Sequence, residues 1–404
     1  MNYNFDEIIN RRGTGCYKWD IDEAQGALPM WVADMDFRVA QPIIDALHRR
    51  VEHGIFGYTL VGDRYYEAVV NWFRRRHGWT IRREWIQYTI GVVPALSVII
   101  KALTSEGDAV LVQTPVYNCF FSCIRNNGCR VVAMPLTWHT DAENYTVDYG
   151  LMEQTIVDND VKLFLLCNPH NPTCRVWTQV ELATMADICH RHNVIVVSDE
   201  IHCEFVNPSL GYGFTPFATV AEPRQMSYIV ANAPSKAFNI AGLQMAYIIS
   251  PSDDFRQLID RAINVNEVCD VNPFGIIALE AAYSADGEQW LNQLVNYIQG
   301  NYQLFRSMLK TSFPDMPVAW LDGTYLAWMD VSAFPLSSER IAADLRYRNK
   351  VWINPGEMYG QTGFLRVNLA CPRTQVEAAT RRIICGLSSL WAHPTNPVGR
   401  QYRR

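Results

Sequence analysis

Long apolar runs are missing from this sequence. No uninterrupted stretch approaches the roughly 18 residues that a membrane-crossing helix needs, so no spanning segment is expected. The N-terminus, MNYNFDEIINRRG, is polar and lacks the apolar core of a signal peptide. Basic runs are scarce as well: Lys and Arg total 35 against 41 Asp and Glu, for a formal net charge of -6. The one cluster, Arg74-Arg75-Arg76, sits in a helix-like stretch and reads as a solvated face, so nucleic acid is not expected as a partner. The 11 cysteines are odd in number, scattered, and contain no CxxC pair. Reduced thiols in a cytoplasmic protein fit that pattern better than a disulfide framework does. Cys189, His190 and His192 find no further ligand pair at zinc-like spacing, so they read as helix surface and no metal is expected. Internal repeats and low-complexity segments are also absent.

What is present is a large store of core residues. The chain has 404 residues, 49% of them hydrophobic and 19% charged, enough for two domains, one larger than the other. From about residue 90, helical stretches alternate with short apolar runs. Val92 to Leu103 reads as a helix, and Ala109 to Gln113 and Val161 to Cys167 as strands. Glu181 to Asn193 is an amphipathic helix that places Leu182, Met185, Ala186 and Cys189 on one face. Val194 to Ser198 and Ser227 to Ala231 follow as strands. Runs that are apolar on both faces and separated by helices predict a mostly parallel sheet covered on each side. Beyond about residue 255, long helices over Phe274 to Ser284 and Glu288 to Leu309 lead into a smaller α+β segment.

The polar residues with a chemical use fall just past the ends of these strands. They are Tyr117, the run Asn168-Pro-His-Asn171-Pro-Thr, Asp199-Glu-Ile-His202, and Ser235-Lys236. In open α/β sheets the crevice beyond the carboxyl ends of the strands is where ligands bind, so four strands aim polar groups at one region. A loop lysine is ordinarily exposed. Lys236 is set apart by Asp199, a carboxylate at the end of a buried strand, which costs several kcal/mol in order of magnitude unless a cation pairs it. A protonated pyridine nitrogen would do so; a helix cap or turn is the other use for such an aspartate. Gly91-Val92-Val93-Pro94 opens a helix whose free N–H groups suit a phosphate. Tyr117 could stack on an aromatic ring or fill the core, and Asn171 could donate to a phenolic oxygen or close the turn before Pro172.

These residues carry a resemblance. Asn168-Pro-His-Asn-Pro-Thr173, Ser198-Asp-Glu-Ile-His202, Ser235-Lys-Ala-Phe-Asn239 and Phe364-Leu-Arg-Val-Asn368 occur in the order and at the spacing of the fold-type I pyridoxal-phosphate (PLP) enzymes. This is the aspartate aminotransferase superfamily, and the sequence resembles it over nearly its whole length. Pro29-Met-Trp-Val-Ala-Asp-Met-Asp-Phe37 looks like the hallmark of the cystathionine β-lyase (C–S lyase) branch, which includes a lyase that also modulates the maltose regulon. The resemblance implies an N-terminal arm over 1–45 and a large PLP-binding domain with a seven-stranded-type sheet over 46–285. It further implies a small α+β domain over 286–390 and a polar tail over 391–404.

The resemblance also assigns roles. Lys236 would be the Schiff-base lysine and the base for the α-proton, and Asp199 would keep the pyridine nitrogen protonated. Asn171 and His202 would lie near the phenolic oxygen, with Tyr117 stacked on the ring. Val92, Val93 and Ser235 would hold the phosphate, joined by Tyr58 from the other subunit of a homodimer with shared active sites. Arg366 would clamp the substrate carboxylate, with Asn354, Trp31 and Asp34 on the substrate side. The implied reaction is α,β-elimination of L-cystathionine, or of L-cysteine and its S-substituted relatives, to a thiol, pyruvate and ammonia. An aminotransferase shares the early steps and differs in needing a 2-keto acid. A regulatory protein that binds a transcription factor is the reading of another class.

Four positions depart from the aminotransferase pattern. Gln244 replaces a common phosphate-binding arginine and His202 a common tyrosine, and both fit the lyase branch. Ala233 removes one expected phosphate contact. Cys174 follows Asn-Pro-Thr where glycine is usual, and would be strained if the position needs a positive φ.

Overall fold

The computed structural model describes residues 3–21, 26–265, 267 and 270–391; the polar tail expected over 391–404 lies outside them except for Trp391. The apolar runs form a seven-stranded sheet. In chain order its strands are β1 (Ile86–Thr89), β2 (Ala109–Thr114), β3 (Arg130–Pro135), β4 (Val161–Cys167), β5 (Ile195–Asp199), β6 (Tyr228–Asn232) and β7 (Ala246–Ile249). Across the sheet they run β1-β7-β6-β5-β4-β2-β3, and β7 runs opposite to the other six. The mostly parallel sheet expected from the sequence is therefore present, with strand ends shifted by a residue or so.

Both faces of this sheet are buried because its side chains alternate between two separate cores. Val110, Val112, Leu163, Leu165 and Val197 pack with Ala95, Leu96, Ile99 and Ile100 of the helix Val92–Leu103. Leu111, Phe164, Leu166 and Val196 point the other way, into a core with Leu182, Met185, Ala186 and Cys189 of the helix Gln179–Arg191. That helix starts at a capping box, in which Thr178 and Glu181 satisfy each other's backbone N–H groups.

A second, three-stranded antiparallel sheet, β8 (Leu326–Asp330), β9 (Asn354–Pro355) and β10 (Phe364–Asn368), lies beyond the long helix Ala285–Ser312. The N-terminal segment reaches this region: Leu28–Pro29 pairs in parallel with Val351–Trp352. Among the described residues, no helix is long and apolar enough to cross a membrane.

One local expectation changes, and one open question is answered. Arg76 does not belong to a solvated face. It is 17% exposed, its Nε donates to Glu204 at 2.7 Å and its Nη1 to Glu288 at 3.1 Å. Glu204 is buried and also accepts from Trp72 Nε1 and His77, so the loop that follows β5 is tied to the helix Asp63–His77. Although burial opposes its charge, His77 and Arg76 hold its carboxyl down at about 2.

Cys174 does stand at a positive φ, +67°, and is fully buried. Its thiol donates to the Leu326 carbonyl at 3.0 Å, linking the Asn168–Arg175 loop to β8. Cys174→Gly gives up that thiol but removes a left-handed penalty of about 1 kcal/mol, whereas Cys174→Ala gives up the thiol and keeps the penalty. Urea unfolding is therefore expected to rank the glycine variant above the alanine variant by about 1 kcal/mol; equal midpoints would contradict this account of the loop.

Candidate active site

Because β2, β4, β5 and β6 run parallel, their carboxyl ends open on one side of the sheet, and the loops that leave them converge there. A cavity of about 490 Å³ occupies the convergence. Tyr117 reaches it from the loop after β2, and Asn171 from the loop after β4. Asp199 ends β5, His202 follows it, and Ser235 and Lys236 come from the loop after β6. Gly91, Val92 and Val93, at the start of the helix Val92–Leu103, close one end, where the first-turn N–H groups have no intrahelical acceptor. From the second sheet come Asn354 and Arg366, and from the N-terminal segment Trp31.

Burial dominates the electrostatics of this space. Asp199 has no ion-pair partner among the described residues; only the Ile201 N–H reaches its carboxylate, at 3.1 Å. Burial pushes its carboxyl up to about 7. Burial likewise pulls the Lys236 amine below its ordinary value, against the carboxylates of Asp34 and Asp199. His202 is pushed down to about 3 by burial and by the charges of Lys236 and Arg366, so it is neutral, and its Nδ1 has no hydrogen-bond partner. Arg366 lies 4.6 Å over the Tyr359 ring, and its Nη1 donates to Asn171 Oδ1 at 3.0 Å. Its buried Nε is unpartnered.

Two residues named in the sequence analysis stand outside this cavity, and of these Tyr58 was expected from the other subunit. Asp34 does not line the cavity: its carboxylate turns to Arg11, 2.7 Å away, and only its charge acts on Lys236. Tyr58 is 96% exposed and lines a separate cleft with Arg50 and Arg64. Gln244 is exposed and outside the cavity too.

A family profile described as aminotransferase class I and II matches residues 35–383. The chain belongs to this family. Within it, the chain is 39% identical to cystathionine beta-lyase PatB of Bacillus subtilis (strain 168), over 95% of this chain and 100% of that protein. It is 32% identical to protein MalY of Escherichia coli (strain K12), over 95% of this chain and 98% of that one. Among solved structures it is similar to cystalysin from Treponema denticola, which contains a pyridoxal 5'-phosphate cofactor. There the TM-score is 0.92 at 31% identity, covering 96% of this chain and 100% of cystalysin. It is also similar to the PLP-bound C-S lyase from Staphylococcus hominis, with a TM-score of 0.88 at 32% identity, covering 96% of this chain and 98% of the lyase.

In this aminotransferase-family chain, one element of the site escaped the sequence reading. The backbone carbonyls of residues 31–37 act as a row of acceptors. Ala33 O accepts from Lys236 Nζ at 2.8 Å, and Trp31 O accepts from Arg366 Nη2 and Asn354 Nδ2, both at 2.9 Å. Asn368 donates to Val32 O and Asp34 O, and Asn239 to Met35 O and Phe37 O. The buried Asp36 anchors the segment: Lys18, Arg11, Trp19 and Gln375 all donate to it. Asn239 and Asn368 end two of the motifs quoted above, which was the signal available. Tyr359, under the Arg366 guanidinium, had none.

Since the Asp199 charge supports the protonated form of Lys236, Asp199→Asn removes that support. The Lys236 titration in the ligand-free protein is therefore expected to move to lower pH. The measurement is the pH dependence of Lys236 acylation by mass spectrometry, and an unmoved or raised midpoint would contradict this electrostatic account.

Proposed function

We propose that the protein is a PLP-dependent carbon–sulfur lyase. It would take L-cystathionine, and with it L-cysteine or related S-substituted cysteines, to a thiol, pyruvate and ammonia by α,β-elimination. The observation that carries the reading is the meeting of Lys236, Asp199 and Arg366 in one cavity. The names of the similar proteins, cystathionine beta-lyase and C-S lyase, support the same reaction.

The residues present fit PLP. A buried carboxylate that no cation pairs directly is costly, and Asp199, raised to about 7 by burial despite the charge of Lys236, is the sign of that cost. A protonated ring nitrogen would return it to the ionised form. The first-turn N–H groups at Val92 and Val93, with the Ser235 hydroxyl, would hold a phosphate. Tyr117 would stack on the ring, Asn171 would donate to the phenolic oxygen, and the neutral His202 has an unspent nitrogen in the same wall. When bound, PLP supplies a sink for the electron pair released at the substrate α-carbon.

The chain's own residues do the rest. Arg366 takes the substrate carboxylate, using the Nε that has no protein partner, and Asn354 supports that end. Lys236, its amine eased toward the neutral form by burial, accepts the α-proton at Nζ. The Cβ–S bond then breaks with its electron pair going to sulfur, which takes up a proton and leaves as the thiol, and the aminoacrylate left behind is hydrolysed by water to pyruvate and ammonia. Trp31 forms part of the wall on the substrate side. Because Tyr58 stands outside its own chain's cavity, we place it in the active site of the partner subunit of a homodimer. The exposed Ile55, Phe56 and Leu60 beside it suit burial in that contact. A cytoplasmic location completes the proposal.

Incubation with L-cystathionine and no keto acid is expected to yield pyruvate and free thiol in equal amounts over many turnovers. Turnover only on addition of a 2-keto acid would instead make the protein an aminotransferase. Lys236→Ala is expected to abolish the imine absorbance of the yellow protein and to lower turnover by about 10³-fold or more. Arg366→Lys loses the planar fork and is expected to raise KM about tenfold, with a smaller change in kcat.

A further inference from the structure

We propose that the protein carries a second binding site, remote from the active-site cavity, for a small protonated amine with an aromatic body.

A cavity of about 370 Å³ opens where the long helix Ala285–Ser312 ends and β8 runs out at Asp330. Small-molecule sites span roughly 300–1,000 Å³, so one ring and a short polar arm suit this space. It shares no lining residue with the active-site cavity.

Carbon makes most of the wall. Phe313, Pro314, Met316, Pro317 and Phe334 line it, with Met316 and Phe334 buried. The two phenyl rings meet edge to face, 5.9 Å apart at 72°. The charge on the wall has one sign: Asp330 and Asp315 line the cavity, and none of its described lining residues is a Lys, Arg or His.

Asp330 is the group that asks for a ligand. It is 7% exposed. The Ser332 N–H donates to its Oδ1 at 2.9 Å and Trp138 Nε1 to its Oδ2 at 3.0 Å. Both donors are neutral, and no ion pair to Asp330 is found among the described residues. A carboxylate offers about four lone-pair sites, so these two donors leave acceptor capacity unused. A buried carboxylate without a cation is costly, and a ligand ammonium would pair the charge and donate to it in one contact.

The rest of the wall favours the same occupant. The exposed Asp315 adds a second negative charge. Aromatic faces such as those of Phe313 and Phe334 attract a cation, and their edges pack against the ring that carries it. An anion of equal size would meet two carboxylates and no cation. The cavity therefore selects by sign as well as by apolar surface.

The probe is N,N-dimethylphenethylamine, a tertiary amine that is protonated at neutral pH and cannot condense with the aldehyde of PLP. Its control is 3-phenylpropanoate, similar in shape and opposite in charge. Calorimetric titration of the PLP-loaded protein is expected to show one amine site per chain, at least about tenfold tighter for the amine than for the anion. Asp330→Asn is expected to weaken the amine about tenfold or more. Ala333→Trp, at an exposed lining position where folding is not at risk, is expected to fill the space and abolish binding. Arg366→Lys is expected to leave binding unchanged, because Arg366 belongs to the other cavity. Equal affinity for amine and anion, or binding of neither, overturns the inference. So does amine binding that survives Ala333→Trp, and so does binding lost in Arg366→Lys, which would put the amine in the active-site cavity.

Discussion

Main-chain oxygens of residues 31–37 accept from both cationic groups of the cavity, Lys236 through Ala33 and Arg366 through Trp31. These two groups arrive from different sheets, so the segment between them sets their spacing. The segment is pinned from the other side by Asp36, where four donors meet one buried carboxylate. Burial works against that charge, yet Lys18, Trp19 and Arg11 hold its carboxyl below the usual carboxylate range. A fully partnered buried charge fixes geometry, and an unpartnered one invites a ligand. This protein has both kinds, with Asp36 behind the wall and Asp199 inside the cavity.

Burial is also what gives the cavity its chemistry. It raises the carboxyl of Asp199, lowers the amine of Lys236 and keeps His202 neutral. In water Asp199 would be ionised well below neutrality and His202 would titrate near it; here burial brings the carboxyl up toward neutrality and takes the imidazole out of that range. The sheet achieves this by delivering each residue at the end of a strand whose neighbours exclude solvent on both faces. Glu204 shows the same device used for support, since its buried carboxylate fastens the loop carrying His202 to the helix Asp63–His77.

The end of the cavity proposed for a phosphate offers neutral donors, the first-turn N–H groups and the Ser235 hydroxyl, since Gln244 is exposed and Ala233 lacks a hydroxyl. An anion there gains from the helix dipole and from N–H groups with no other use. Cys174 is a comparable compromise: the loop needs a left-handed residue, and cysteine meets that need by trading backbone strain for a buried thiol–carbonyl bond to β8.

Apolar runs located β2, β4, β5 and β6 to within a residue or so, because strands buried on both faces have few other compositions open to them. Motif order then placed Lys236, Asp199 and Asn171 in one region, since a parallel sheet must bring its strand ends together, and Arg366 joins them from the second sheet. One residue with a motif-based role went elsewhere: the Asp34 carboxylate turns to Arg11, a partner that no local pattern indicates. Tyr58 stands outside its own chain's cavity, where a residue expected from the other subunit belongs. The solvated face predicted for Arg76 failed because its partner Glu204 lies 128 residues away. Acceptance by the carbonyls of residues 31–37 left no trace in residue type, because every residue has that oxygen whatever its side chain. Composition and motif thus determined which groups this protein possesses and in what order. Which of them touch, and which are dry enough to change their protonation, was decided only by tertiary packing, because both depend on distances between residues remote in the chain.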